Sequence, residues 1–134
     1  DPDSNSLVPN ALKVLKTLSS GFLLLLYCKS GKKKNRLVTG LGLEKFFKKI
    51  IFVSEKKPRD LINIAKEFGL KTAEIVVVGD RIKSEIAAAK KAGCKTIWLK
   101  RGKFAVEEPS EAAEKPNHVV LDLSDVLTKI EKKE

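Results

Sequence analysis

The feature that most constrains the fold of this chain is the regular alternation of short apolar runs with amphipathic segments. The apolar runs are continuous, as in strands that are covered on both faces; they are Phe22–Tyr27, Ile50–Val53, Ile75–Val78, Thr96–Leu99 and the shorter Val119–Leu121. Between the runs, apolar residues recur at every third or fourth position, which is typical of one face of a helix. The repeat of about 25 residues favours stacked βαβ units. We therefore predict an α/β fold, a three-layer α/β/α sandwich with a mostly parallel, Rossmann-like sheet.

Turn residues mark the ends of the predicted helices. The clearest helix begins at Pro58 and ends at Gly69. Its apolar stripe consists of Leu61, Ile64, Ala65 and Phe68. The other predicted helices follow Pro9, occupy the lysine-rich stretch that ends near Gly42, run from Ile82 to Gly93 and begin at a capping Ser124. Residues 101–117 contain two prolines and many charges, so they are predicted to form a surface loop.

The charge of the chain bears on its partners. Its 134 residues suit one domain with one core, and 27 Lys and Arg against 17 Asp and Glu give a formal net charge of +10. The basic residues are spread along the sequence, without interleaved aromatic residues and without a zinc-finger or RNA-recognition signature. We therefore expect that most basic residues lie on solvated helix faces and that the surface attracts a small phosphorylated substrate, with a nucleic-acid partner as the weaker alternative.

The sequence also predicts a compartment. The longest apolar run, Phe22–Cys28, is far shorter than the roughly 20 residues of a membrane span, and no secretory leader is visible. Cys28 and Cys94 lie in or beside apolar segments, so we expect buried reduced thiols rather than a disulfide. These features favour a cytoplasmic protein, and the absence of Met beside abundant Lys and Glu suggests a heat-adapted source.

Acidic residues at the end of a predicted strand form the strongest candidate site. Parallel strands place their carboxyl ends at one edge of the sheet, where ligands bind. Asp80 follows Gly79 at this edge, and Glu85 falls in the first turn of the next helix. Two carboxylates there suit Mg²⁺, which keeps waters and takes one or two carboxylates plus a substrate phosphate. The structural alternative is that Asp80 caps the helix and Glu85 complements its dipole.

Two further residues at the same edge suit a phosphoryl group. Lys57 follows the second run and could neutralise the charge of phosphate and carboxylates; the alternative is a solvated lysine beside Lys56. Ser30 follows the first run and could offer its hydroxyl to phosphate oxygens; the alternative is a turn with a helix cap. The single histidine, His118, is expected to be structural, so no serine–histidine–acid or cysteine–histidine arrangement is predicted.

Taken together, these motifs resemble the haloacid dehalogenase-like (HAD) hydrolase superfamily over nearly the whole chain, from about Val8 onward. Lys57-Pro58 is similar to the lysine motif of that family, and Gly79-Asp80 with Glu85 is similar to its acidic motif. The order and spacing of these elements agree with the family.

The resemblance implies a Mg²⁺-dependent phosphatase that acts on a small phosphorylated metabolite through an aspartyl-phosphate. It also implies roles for individual residues. Asp80 would be a metal ligand and Glu85 a helper carboxylate at the metal, Lys57 would stabilise charge, and Ser30 would bind phosphate. Dehalogenase and phosphomutase reactions would use the same core.

The start of the chain departs from the family pattern. No apolar strand precedes Asp1 or Asp3, so neither is placed to act as the nucleophilic aspartate. We therefore expect residues 1–134 to be a single HAD-like core domain that is incomplete at its amino end, with residues 1–7 as a linker or cap exit. The alternative function is a catalytically inactive HAD-like domain that binds other molecules.

Overall fold

A computed structural model of the chain describes residues 10–29 and 44–130. The helices and strands are α1 (Ala11–Ser19), β1 (Leu25–Lys29), β2 (Lys49–Val53), α2 (Pro58–Phe68), β3 (Val76–Gly79), α3 (Ala87–Lys91), β4 (Lys95–Leu99), β5 (His118–Val120) and α4 (Val126–Lys129). One π-helical turn, Ile82–Ile86, leads into α3. Short 3₁₀ turns occupy Glu44–Phe46, Thr72–Glu74, Ala112–Glu114 and Leu123–Asp125.

The chain divides into two compact units, and the smaller sheet lies in the first, Asp1–Glu55 with Ile130–Glu134. Strands β1 and β2 of this unit pair in parallel, with Leu26 opposite Ile50. Helix α1 buries Ala11 and Val14, whereas Leu12 of the same helix is 51% exposed. The predicted lysine-rich helix and the side chain of Cys28 lie outside the described part of the chain.

The second unit, Lys56–Lys129, contains a three-stranded sheet in the order β3-β4-β5. Both strand pairs are parallel, with Gly79 opposite Trp98 and Trp98 opposite Val119. Strand β4 is central and is buried from Thr96 onward, which explains its continuous apolar sequence. Parallel pairing and the alternation of strands with helices are therefore as predicted.

Helix α2 shows why this part of the sequence folds as expected. Pro58 occupies the first helical position, where its fixed φ angle fits and its missing N–H is not needed. The Asp60 carboxylate accepts the backbone N–H of Lys57 at 2.9 Å, and Gly69 ends the helix with φ 66°. Of the predicted apolar stripe, Leu61, Ile64 and Ala65 are buried and Phe68 is half-buried.

The core of the second unit lies directly beneath the loop that follows β3. Ile82, Ile86 and Trp98 form a buried cluster, with 5% of Trp98 exposed and the two isoleucines fully covered. The buried polar residue Thr96 is satisfied by Asn117, whose side-chain oxygen accepts the Thr96 N–H at 2.8 Å and the hydroxyl at 3.1 Å. Asn117 thus fixes the entry to β5.

Some predicted boundaries are wrong. The first apolar run becomes a strand only at Leu25, and the predicted helix from Ile82 begins with a π turn. Ser124 does not cap the last helical segment: Asp122 stands at its amino end, and the Ser124 hydroxyl donates to the Asp122 carboxylate at 2.6 Å. Within residues 10–29 and 44–130, no helix has the length and apolar character that crossing a membrane requires.

Candidate functional site

The loop between β3 and the π turn brings the two predicted carboxylates together. Glu85 lies in the π turn, and its side chain reaches back over the loop, where one carboxylate oxygen accepts the backbone N–H of Asp80 and that of Arg81, each at 3.0 Å. The wider π turn, in which the Ile86 N–H donates to the Arg81 carbonyl at 3.4 Å, carries Glu85 over the loop. Glu85 is only 6% exposed.

Gly79 is required by this arrangement. A Cβ atom on residue 79 would overlap Cγ of Glu85 and would lie 2.7 Å from its Cδ. The glycine of the Gly-Asp motif therefore makes room for the acidic side chain that comes six residues later. The close approach of this side chain is the reason for a glycine at position 79.

Lys56 completes the surroundings of Glu85. Its ammonium nitrogen lies 3.1 Å from the second carboxylate oxygen of Glu85, and the two side chains are 16% and 9% exposed. Burial opposes ionisation of Glu85, but the Lys56 charge and the backbone N–H donors outweigh it and hold the pKa of this carboxyl below its ordinary value. Glu85 is therefore a stable buried anion.

The pKa of the Asp80 carboxyl is shifted in the opposite direction. Partial burial and the adjacent Glu85 carboxylate raise the pKa of the Asp80 carboxyl above its ordinary value. The residue itself is exposed to solvent. The pair thus combines a carboxylate held by hydrogen bonds and by Lys56 with a second carboxyl group whose ionisation is opposed by its burial and by its neighbour.

The other two predicted site residues are Lys57 and Ser30. Lys57 directly precedes α2, is exposed, and uses its backbone N–H to bind Asp60. The ammonium that contacts Glu85 belongs to its neighbour Lys56, for which the sequence predicted no role. Ser30 lies outside the described residues.

Two contacts to this loop were not predicted from the sequence. The indole N–H of Trp98 donates to the Asp80 carbonyl at 3.0 Å, and a Glu107 oxygen accepts the Ile82 N–H at 2.9 Å. Trp98 belongs to the predicted apolar run Thr96–Leu99 and is buried, but its contact with Asp80 depends on the register of β3 and β4. Nothing in the sequence signals the contact of Glu107.

The carboxylates of this loop suit a divalent cation that takes only one or two of its ligands from the protein. Both oxygens of Glu85 are engaged by Lys56 and by backbone donors, so Asp80 is the carboxylate whose excess charge a cation would offset. Among the described residues, no group of three or more His, Cys, Asp and Glu side chains converges to form a complete metal site. One hard carboxylate with remaining positions for water and phosphate is a mode of binding that Mg²⁺ accepts.

Sequence comparisons relate the chain to known phosphatases. A sequence model of the HAD-hydrolase-like family matches residues 56–126, which include Lys56, Asp80 and Glu85. Glyceraldehyde 3-phosphate phosphatase from Pyrococcus furiosus is 37% identical over 97 residues, which are 69% of this chain and 40% of that protein. The enzyme of the same name from Methanocaldococcus jannaschii is 29% identical over 132 residues, which are 92% of this chain and 58% of that protein. The chain thus spans about half the length of these relatives.

Comparison with solved structures shows the fold. The crystal structure of a predicted phosphoglycolate phosphatase from Haemophilus somnus matches with a TM-score of 0.79 at 23% identity and covers 96% of this chain and 60% of that one. A HAD phosphatase from Thermococcus onnurineus matches with a TM-score of 0.77 at 19% identity and covers 95% of this chain and 59% of that one. The predicted HAD-like α/β fold is confirmed. With its loop geometry and a family match over residues 56–126, this chain belongs to the HAD-hydrolase-like family.

Proposed function

We propose that this chain is the greater part of the core of a Mg²⁺-dependent phosphatase that hydrolyses a small phosphorylated metabolite through an aspartyl-phosphate. The observation that carries the proposal is the pair of adjacent carboxylates at the carboxyl end of β3: Glu85 is held by Lys56 and by two backbone N–H groups, and Asp80 beside it is exposed to solvent. Two neighbouring carboxylates at an exposed sheet edge favour a bound cation, and a cation there favours a phosphoryl group.

Each residue of this site is assigned a separate role. Asp80 would hold the metal, which would neutralise charge on the phosphoryl oxygens and orient them. Glu85 would fix the loop that carries Asp80 through its bonds to two backbone N–H groups. Lys56 keeps Glu85 ionised, and Lys57 remains the predicted charge stabiliser for the phosphoryl group. Ser30 remains the predicted phosphate-binding hydroxyl.

The nucleophile would come from a strand that precedes Asp1 in a longer protein. Two observations support this part of the proposal: the matched relatives are longer than this chain, and β3 pairs only with β4 among the described strands. Val76 and Val78 of β3 are 37% and 36% exposed, whereas strands of parallel sheets are ordinarily covered. An aspartate on the added strand would attack phosphorus and release the alcohol, and water would then hydrolyse the acyl phosphate.

The substrate class is taken from the relatives. The proteins from Pyrococcus furiosus and Methanocaldococcus jannaschii are both named for glyceraldehyde 3-phosphate, so we infer a phosphorylated metabolite of triose size. A cytoplasmic location agrees with the buried free thiol of Cys94. The predicted heat-adapted source and the single incomplete core domain over residues 1–134 also remain proposals.

The decisive experiment measures phosphate release by the full-length product of the gene. We expect Mg²⁺-dependent release from glyceraldehyde 3-phosphate and, more slowly, from a generic aryl phosphate. Asp80→Asn should abolish release, because it removes the metal-binding charge while preserving the shape of the side chain. Asp125→Asn, at an exposed position in the last 3₁₀ turn, is the matched control and should leave release unchanged.

Three results would contradict the proposal. Release that persists in excess chelator would exclude the metal, and release that survives Asp80→Asn would exclude the assigned ligand. A folded protein that releases no phosphate from either substrate would favour the inactive binding domain instead.

A further inference from the structure

We infer that Trp98 and Glu107 are positioning residues for Asp80, which they hold in place through the backbone of the loop 79–82. The contacts of Trp98 and Glu107 with the loop support these positioning roles by themselves. The effect of the two residues on a bound cation rests on the proposed function, in which Asp80 is the metal ligand. Neither residue touches the reacting groups in this scheme, so both act through Asp80.

Trp98 holds the loop from below. Its indole N–H donates to the Asp80 carbonyl at 3.0 Å, and its ring is 5% exposed within the cluster that includes Ile82 and Ile86. The backbone of Trp98 is itself fixed, because it lies opposite Gly79 in the central strand of the sheet. A buried aromatic side chain therefore sets the position of the carbonyl at the proposed ligand.

Glu107 holds the loop from the connection that follows β4. One of its carboxylate oxygens accepts the Ile82 N–H at 2.9 Å, and the other lies 3.7 Å from Nε of Arg81. The Arg81 guanidinium in turn covers the ring of Phe104, with 4.5 Å between its central carbon and the ring centroid. Glu107 thus secures both residues that follow Asp80.

Every backbone polar group from the Asp80 N–H to the Ile82 N–H has a partner. The Asp80 and Arg81 N–H groups donate to Glu85, and the Asp80 carbonyl accepts from Trp98. The Arg81 carbonyl accepts from the π turn, and the Ile82 N–H donates to Glu107. The holding side chains come from the π turn, from β4 and from the following connection, so the loop cannot turn without breaking contacts to at least one of them.

Such a loop would present Asp80 to a cation without rearrangement. When a residue that holds a metal ligand in place by a hydrogen bond is removed, the affinity for the metal commonly falls about 10- to 100-fold. Here the partner holds the backbone of the ligand rather than its carboxylate, so we expect the lower end of that range. Removal of Trp98 or Glu107 contacts should therefore weaken Mg²⁺ binding and loosen the loop, while the fold persists.

The test uses backbone amide NMR of the 134-residue chain, with Mg²⁺ as the ligand. Trp98→Phe keeps a buried aromatic ring but removes the N–H donor to Asp80. We expect the Mg²⁺ midpoint of the Asp80 and Arg81 amide shifts to rise about 10-fold. Ile97→Val, a buried change in the same strand that spares the loop, is the control and should leave the midpoint unchanged.

Glu107 is tested in parallel by hydrogen exchange. Glu107→Ala removes the acceptor of the Ile82 N–H, so exchange at this amide should accelerate about 2- to 12-fold beyond any global change, as for the loss of one hydrogen bond. Glu107→Gln keeps an acceptor oxygen and should restore part of the protection. Glu108→Ala, at the exposed adjacent position, is the matched control and should have no effect.

The outcomes separate the inference from the proposed function. If Trp98→Phe and Ile97→Val shift the Mg²⁺ midpoint equally, or Glu107→Ala leaves exchange at Ile82 unchanged, the positioning roles are wrong. If the unmodified chain shows no Mg²⁺ shifts at the loop, the proposed metal site fails. In that case, selective loosening of the loop in both variants would still establish the positioning roles.

Discussion

The buried ion pair between Lys56 and Glu85 provides the most exacting test of this structure. Its atoms lie 3.1 Å apart and its side chains are 16% and 9% exposed, well below the exposure of an ordinary surface pair. At an effective dielectric constant of about 20, the gross attraction at this distance is about 5 kcal/mol, much of which desolvation cancels. Glu85→Gln also weakens the acceptor of two backbone N–H groups, so we expect it to cost about 3 kcal/mol of unfolding free energy.

A double-mutant cycle isolates the pair itself. Lys56→Met keeps the length of the side chain and should cost about 1–2 kcal/mol, because Glu85 retains its backbone donors. The double variant should be less destabilised than the sum of the single variants by about 1–2 kcal/mol. Urea denaturation in the presence of chelator measures all three values. Lys66→Met, at an exposed position on α2, is the control and should combine additively with Glu85→Gln.

The pH dependence has a defined sign. Because the folded pKa of Glu85 is lowered, its ionised form contributes stability above the ordinary range of a Glu carboxyl and loses it as pH falls through the lowered pKa. The loss of unfolding free energy caused by Glu85→Gln should therefore be largest near neutral pH and should shrink in acid.

A coupling energy between Lys56 and Glu85 below about 0.5 kcal/mol in the double-mutant cycle would refute the reasoning, since that is the value of an exposed ion pair.

Three further predictions concern single residues of the second unit. Gly79→Ala should cost about 1–3 kcal/mol in urea denaturation, because its methyl group displaces Glu85; an unchanged unfolding midpoint would contradict this. Asp80→Asn should stabilise the metal-free chain near neutral pH, by less than about 1 kcal/mol since solvent screens the group, because a raised folded pKa means that ionisation opposes folding. This gain should vanish in acid, which thermal melting at several pH values measures. A gain that stays constant with pH would contradict the prediction. Burial raises the pKa of the Cys94 thiol to about 11, so in a Cys28→Ser background iodoacetamide should label it slowly until the chain is unfolded; equal rates would contradict its burial.

Local signals in the sequence were sufficient for the framework and for part of the site. Pro58 and Gly69 bound a helix because each residue type fits one end of a helix, and the stripe between them follows the helical period. The meeting of Asp80 and Glu85 was predictable as well, because a strand end and the first turn of the next helix are adjacent in space.

The rest of the site depends on distances that the sequence does not encode locally. Lys56 and Lys57 are chemically identical neighbours, and the extended backbone before α2 decides which of them meets Glu85. The contact of Trp98 with Asp80 requires the exact strand register, and Glu107 reaches Ile82 from 25 positions away. The roles of Lys57 and Ser30 at the phosphoryl group stay predictions.

The connection between β4 and β5 is fastened to one short stretch of chain at two points. Glu107 binds Arg81 and Ile82, and Glu114 with Ser110 binds the ammonium of Lys83, at 3.0 Å and 3.2 Å. Two such attachments behave as a bivalent ligand, because each holds the other at a high effective concentration. We expect the connection to stay docked when one attachment is lost, because the other attachment keeps it close to the same stretch of chain.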